Sequence, residues 1–124
     1  MLLAQVKLEQ ADHQGAVATL RELAEKNASG PYATPIRTLL GDAYSQLGKY
    51  AEAASEYERA ALLTTAPNER ALLLAKIGRA QTAAGNAAKA REAWEALANQ
   101  SDNAGLAAEA RVRLGELLAT SARS

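Results

Sequence analysis

A repeat with a period of 37 residues runs through all 124 positions of this chain and narrows its possible folds more than any other feature. Leu3-Ala4, Leu40-Gly41, Ile77-Gly78 and Leu114-Gly115 form one column, a large residue followed by a small one, spaced by 37 at every step. Ala16, Ala53 and Ala90 form a second column. Leu20, Tyr57 and Trp94 form a third, Leu23, Ala60 and Leu97 a fourth, and Ala11, Gly48 and Gly85 a fifth at the turns. A period of this length means stacked copies of one supersecondary unit, each burying its apolar face only against its neighbours.

Periodicity within the copies is helical. Leu40, Ala43, Tyr44 and Leu47 follow i, i+3, i+4, i+7 spacing, as do Ala53, Ala54, Tyr57 and Ala61, and strand-like alternation is absent. Breaks fall at Asp12-His13-Gln14-Gly15, Gly48-Lys49-Tyr50 and Gly85-Asn86 within copies, and at 27–35, 64–68 and 99–105 between them. They predict seven helices at approximately 1–11, 13–27, 33–47, 50–64, 68–84, 87–99 and 104–121. The expected architecture is all-α: three helical hairpins in one domain, with repeats at about 1–32, 33–67 and 68–103 and a capping helix at 104–121. A coiled coil is excluded, because its seam would have to cross glycine breaks every 15 to 20 residues. Gly41, Gly78 and Gly115 are read as points where a side chain would hold the hairpin partner away. Ala53 and Ala90 are the matching small residues, and Tyr44, Tyr57 and Trp94 fill the space between repeats.

Composition agrees. Alanine takes 31 of 124 positions and aromatics only 4%, which suits helices packed closely through small side chains. Fourteen basic and fourteen acidic residues cancel, so no global field argues for nucleic acid or an anionic membrane. Without cysteine there are neither disulfides nor thiolate metal sites. The longest apolar run, Ala71 to Ala75, is far short of the ~20 residues of a membrane span. No secretion signal opens the chain. It starts inside a copy, so a longer parent protein is expected.

The best copy, Leu40-Gly41, Tyr44, Gly48, Tyr50, Ala53, Tyr57 and Ala60, resembles the tetratricopeptide repeat. Ile77-Gly78, Gly85, Ala90, Trp94 and Leu97 follow the same pattern, and Leu3-Ala4, Ala16, Leu20 and Leu23 follow it more loosely. The resemblance covers essentially the whole chain. The family's usual period is about 34 residues, so each copy here carries extra residues, placed between repeats, and the helix-closing proline is displaced, with Pro67 alone near it. Long copies, Gly30-Pro31-Tyr32 and a lone last helix are similar to bacterial cell-envelope members of the family. Those include the coordinator of cell-wall constriction with the Tol–Pal system, the lipoprotein of the barrel assembly machine and the ancillary subunit of the Sec translocon.

The resemblance implies a right-handed α/α superhelix whose concave groove is lined by the first helix of each hairpin. Carried onto this chain, the groove positions are Gln5 and Leu8; Thr38, Asp42, Ser45 and Gln46; Lys76, Arg79 and Thr82; Glu109, Arg113 and Glu116. Asp42, Arg79 and Glu116 share a column at 37-residue spacing, a stripe of alternating sign. The candidate ligand residues are Asp42, Gln46, Lys76, Arg79, Arg113 and Glu116, with Lys76, Arg79 and Arg113 as a basic centre for a carboxylate. The plainer reading makes them surface charges paired across repeats, each exposed pair worth ~0–1 kcal/mol. The family's clamp for a chaperone-tail carboxylate is not expected: its Lys, Asn, Asn, Lys, Arg set falls on Thr38, Asp42, Lys76, Glu109 and Arg113, and only the last fits.

Catalysis is not expected, nor any cofactor. His13 is the only histidine and stands in the column of Tyr50 as a turn residue. One histidine without cysteine does not supply the three or four ligands of a metal site. Asp12, His13 and Ser29 lack the positioned nucleophile turn of a triad. Tyrosines and Trp94 sit on core columns and read as packing. Glu109, Arg111, Arg113 and Glu116 suit a last helix that faces water. Leu2 and Leu8 would project from the first helix, which predicts a homodimer through the N-terminal helices or a further helix upstream. The expected function is a non-catalytic scaffold that binds a protein, peptide or partner helix in its groove, within a bacterial envelope assembly or secretion complex. A cytoplasmic setting is the alternative compartment, and a helical spacer or oligomerisation domain with an idle groove the alternative role.

Overall fold

The computed structural model describes the backbone of residues 2–123 and the side chains of residues 12–120. Six helices follow one another: α1 (Leu2–Lys26), α2 (Ala33–Gln46), α3 (Tyr50–Leu63), α4 (Pro67–Ala84), α5 (Ala87–Gln100) and α6 (Ala104–Arg123). Each packs against the next in sequence, and α4 also meets α6. The described residues form no strand. This is the expected all-α solenoid of stacked hairpins, α2–α3 and α4–α5, flanked by α1 and α6.

The turns inside the two hairpins are built alike. Gly48 (φ 74°) and Gly85 (φ 82°) take the left-handed conformation that ends a helix. The amides one residue later close the motif, Lys49 N–H onto the Tyr44 carbonyl at 2.9 Å and Asn86 N–H onto the Gln81 carbonyl at 2.9 Å. Between hairpins, Thr64 leaves the helix in extended backbone and Pro67 opens α4, where its missing N–H costs nothing. Asn103 opens α6, its Oδ1 accepting from Leu106 N–H at 3.0 Å.

The N-terminal hairpin is the one correction to this architecture. A turn was expected at residues 12–15, giving helices 1–11 and 13–27; instead α1 continues unbroken for 25 residues. The turn column carries Ala11 where the later copies carry Gly48 and Gly85. An alanine entering the left-handed region costs roughly 1–2 kcal/mol, whereas keeping Gly15 inside a helix costs about 1 and retains the backbone hydrogen bonds. The helix therefore runs on, and His13, expected in a turn, is a half-buried position within it. Lacking a hairpin partner, the first copy's columns are also less covered: Leu23 is 40% exposed where Ala60 and Leu97 are fully buried.

The core lies between successive helices and is mostly alanine. One cluster joins Ala53, Ala54, Tyr57 and Ala60 of α3 to Leu73, Ile77 and Ala80 of α4 and Ala93 of α5. A second joins Ala71 and Ala75 of α4 to Ala90, Trp94 and Leu97 of α5 and Ala110 of α6. The glycine columns work as read in two copies. A Cβ built on Gly41 would fall 2.5 Å from Tyr57 Cε1, and one on Gly78 would fall 2.4 Å from Trp94 Cε2. The same first-helix glycine thus receives the same second-helix aromatic in both hairpins. At Gly115, in α6, the reading fails: a Cβ there meets nothing within 4 Å, because among the described residues no second helix packs over it.

Candidate functional site: the face of the first helices

α2, α4 and α6 present one helical face to each other and to solvent. Register places Pro35, Leu39, Asp42 and Gln46 on it from α2, Leu72, Lys76 and Arg79 from α4, and Glu109, Arg113 and Glu116 from α6, at i, i+4, i+7 intervals. Two ion pairs that cross between these helices locate the face directly. Lys76 Nζ lies 2.8 Å from Asp42 Oδ1, joining α4 to α2. Arg79 grips Glu109 with both arms of its guanidinium, Nε at 3.0 Å and Nη2 at 2.7 Å, joining α4 to α6.

These contacts make a ladder rather than a free basic centre. Asp42 is shared: the Tyr57 hydroxyl donates to it at 2.5 Å, and Ser45 Oγ stands 3.3 Å from the same hydroxyl. Lys76 also lies over the Tyr57 ring, 5.4 Å from its centroid, where the ring quadrupole attracts a cation. Burial, then the hydrogen bond to Asp42, pushes the Tyr57 phenol well above its ordinary range. Farther along, Glu109 faces Arg79 and, at 3.8 Å, Arg113, which also reaches Glu116 at 3.4 Å. Hydrogen bonding to Arg79 holds the Glu109 carboxyl below the usual carboxylate range and raises Arg79 in turn.

Of the six candidate ligand residues, five enter this ladder and Gln46 is exposed at its α2 end. Lys76, Arg79 and Arg113 do converge on one face, but each already meets a carboxylate. Thr38 turns onto its own helix and donates to the Thr34 carbonyl at 2.9 Å; Thr82 does the same to Gly78 at 2.7 Å. Gln5 and Leu8 lie outside the described side chains, as does Leu2, on which the N-terminal dimer was argued. A cavity of about 270 Å³ bordered by Ser45, Tyr50, Tyr57, Lys76, Arg79 and Ala80 opens beside the ladder.

Four features of the site and its support escaped the sequence reading. Leu39 and Leu72 stand on the same face and are 53% and 54% exposed, an apolar shelf next to the charges. Their spacing as large side chains on the groove face was visible, but the charged column drew the reading. Arg37 and Glu56 form a largely buried pair at 2.9 Å that ties α2 to α3. Its signal was a pair of charged residues in columns where the next copy carries Leu74 and Ala93. Not every tyrosine is packing, either: Tyr57 is buried, but Tyr32 is 66% exposed and Tyr50 38%. Lastly, α6 does not show water a uniformly charged surface. Glu109 and Arg113 turn into the ladder, while Val112 and Leu118 are 61% and 55% exposed.

Among the described residues, no group of His, Asp and Glu side chains is placed to hold a metal ion, and no helix is long and apolar enough to cross a membrane. No curated protein matches the chain in sequence. A profile of the tetratricopeptide repeat family matches residues 34–66, which span α2, its glycine turn and α3. Proteins built from this repeat are generally non-enzymatic scaffolds that mediate protein–protein interaction. The profile match and the stacked hairpins converge: α2 and α3 form a tetratricopeptide repeat, set in an all-α solenoid of the same kind.

Proposed function

We propose that this chain is a non-catalytic scaffold that captures an extended peptide or a partner helix on the face of α2, α4 and α6. The observation that carries the reading is the pairing, on one open face, of the exposed Leu39 and Leu72 with the ladder from Asp42 to Glu116. An apolar anchor seated on the leucines supplies most of the affinity. The ladder supplies polar partners: Asp42, Lys76, Arg79, Arg113 and Glu116 are each at least a third exposed and can exchange a neighbour for a ligand group. Because every cation already meets a carboxylate, the face favours a ligand of mixed charge over a simple anion.

A photo-crosslinking residue at position 39 tests this in cells. The expected result is a crosslinked partner that disappears with Leu72→Asp and persists with Leu62→Asp, an exposed control on α3 whose side chain is not among those of the ladder face. Arg79→Glu with Arg113→Glu should likewise abolish capture while helicity is kept. Capture unchanged by all of these substitutions means the face is idle and the helices serve as a spacer. A place in a bacterial envelope assembly or secretion complex follows from the likeness of the long copies and Gly30-Pro31-Tyr32 to envelope proteins of the family. Cell fractionation of the natural protein checks it, and recovery in the cytoplasm removes it.

A further inference from the structure

The cavity of about 270 Å³ beside the ladder has Lys76 and Arg79 at its rim and Ser45, Tyr50, Tyr57 and Ala80 as its other walls. All six residues belong to α2, α3 and α4, each of which packs between two neighbours, so the cavity owes nothing to either end of the chain. Its lining is mainly apolar, with Ala80 and Tyr57 buried and Tyr50 38% exposed. The two cations are already spent. Asp42 holds Lys76 at 2.8 Å and Glu109 grips Arg79 through Nε and Nη2, and neither carboxylate lines the cavity. An entering carboxylate would have to displace one of them. An aromatic ring would not, because a cation over its face attracts it while keeping its own counter-ion. The structure already holds one such contact, Lys76 Nζ at 5.4 Å from the centroid of Tyr57. Arg79, gripped along one edge, keeps the faces of its planar guanidinium for stacking.

Size points the same way. About 150 Å³ admits a benzene, and whole small-molecule ligands take roughly 300–1,000 Å³. The cavity, at about 270 Å³, therefore suits one aromatic side chain of a larger ligand. The leucine shelf sets the spacing. Lys76 and Arg79 follow Leu72 by one and two helical turns, about 6–10 Å along α4 at ~1.5 Å per residue. An extended chain covers that with roughly two or three residues at ~3.3 Å each. Resting on the reading of this face as a peptide groove, we propose that the cavity is its specificity pocket. It takes a Trp, Tyr or Phe of an extended partner peptide, roughly two or three residues from the aliphatic side chain seated on Leu39 and Leu72.

Indole, para-cresol, cyclohexanol and acetate, titrated into the isotope-labelled chain and followed by NMR, test the pocket without the partner in hand. Indole and para-cresol should shift the Ser45, Tyr50 and Ala80 amides saturably, with Kd about fivefold or more below that of cyclohexanol, and acetate should leave them unmoved. Arg79→Gln and Tyr50→Ala should each weaken indole by about fivefold or more, and Leu62→Asp should not; circular dichroism verifies that all three fold. Random peptides selected on the chain should carry an aromatic residue at the stated distance from a Leu, Ile or Met. Acetate bound as tightly as indole would make the cavity a carboxylate site, and cyclohexanol bound as tightly would make it merely apolar. Shifts indifferent to both variants would place the ligand elsewhere, and no shift at all would leave no aromatic subsite. Each of these overturns the proposal. So does a full natural protein that ignores indole while this chain binds it, since a segment of its own would then fill the cavity. The scaffold reading fails separately: a partner crosslinked at position 39 with indole unbound sinks the pocket alone.

Discussion

Two substitutions in one sequence column should have opposite effects. In Gly78→Ala the new methyl would start 2.4 Å from Trp94 Cε2 and 2.7 Å from Cδ2 and Cζ2. Carbon pairs rest at about 3.5–4.0 Å, so the overlap is about 1 Å. Trp94 is fully buried between α4 and α5, and its indole is rigid, so the clash is relieved only by parting the helices. Overpacking of this kind costs about 1–3 kcal/mol or more, offset by about 1 kcal/mol of helix propensity gained on replacing glycine. The net is a loss of up to about 2 kcal/mol. Gly115→Ala meets no atom within 4 Å and keeps only the gain, about 0.5–1 kcal/mol. The propensity gain is common to both, so the pair should separate by the overpacking cost of about 1–3 kcal/mol, which for a chain of this length is about 3–18 °C in Tm at about 3–6 °C per kcal/mol. Thermal melts followed by far-UV circular dichroism and by Trp94 fluorescence supply the measurement. Trp94→Leu should make Gly78→Ala far less costly, a coupling expected only if the two groups collide. Equal shifts for the two alanines, or strictly additive double mutants, would refute the close-approach argument.

The remaining expectations follow from single groups. Removing one partner of the Arg37–Glu56 pair, 19% and 12% exposed, should cost about 2–4 kcal/mol, whereas Arg37→Met with Glu56→Leu should stay within about 1 kcal/mol of wild type by chemical melts. Glu109 is more acidic folded than unfolded, so the unfolded chain binds more protons through the carboxylate range. Its contribution is therefore complete at neutral pH and lost as pH falls through and below that range; Glu109→Gln should flatten this part of a stability profile measured down to pH ~3. Trp94 Nε1 is buried without a hydrogen-bond partner. Trp94→Phe should thus cost less than its lost volume suggests, about 1 kcal/mol or under by urea midpoint, against about 3–5 for Trp94→Ala. Tyr57→Phe should cost about 1 kcal/mol for its bonds to Asp42 and Ser45, and in an alkaline absorbance titration it should remove a phenol that ionises well above the ordinary tyrosine range.

Much of this molecule was legible in its residues because the signals are local and recur. Gly48, Gly85 and Pro67 mark helix ends by backbone geometry alone, and the observed bounds of α2 to α5 lie within about two residues of those the breaks predict. The close approaches at Gly41 and Gly78 were visible because a repeat places equivalent atoms in equivalent surroundings, but that Tyr57 and Trp94, and not the matched Ala53 and Ala90, fill them was decided by the packed hairpins. What the chain could not declare was competition between near-equal local costs, and identity of partners across helices. At residues 11–15 a tolerated glycine within a helix outweighed an alanine forced into a turn, and α1 ran straight. Columns put Lys76, Arg79 and Arg113 on one face, yet only the packed helices decided that Asp42 and Glu109 reach them, turning a supposed cationic centre into a neutral ladder. Gly115 looks like its two predecessors in sequence; that it stands uncovered is a fact of what lies beside α6, and periodicity carries no information about a missing neighbour.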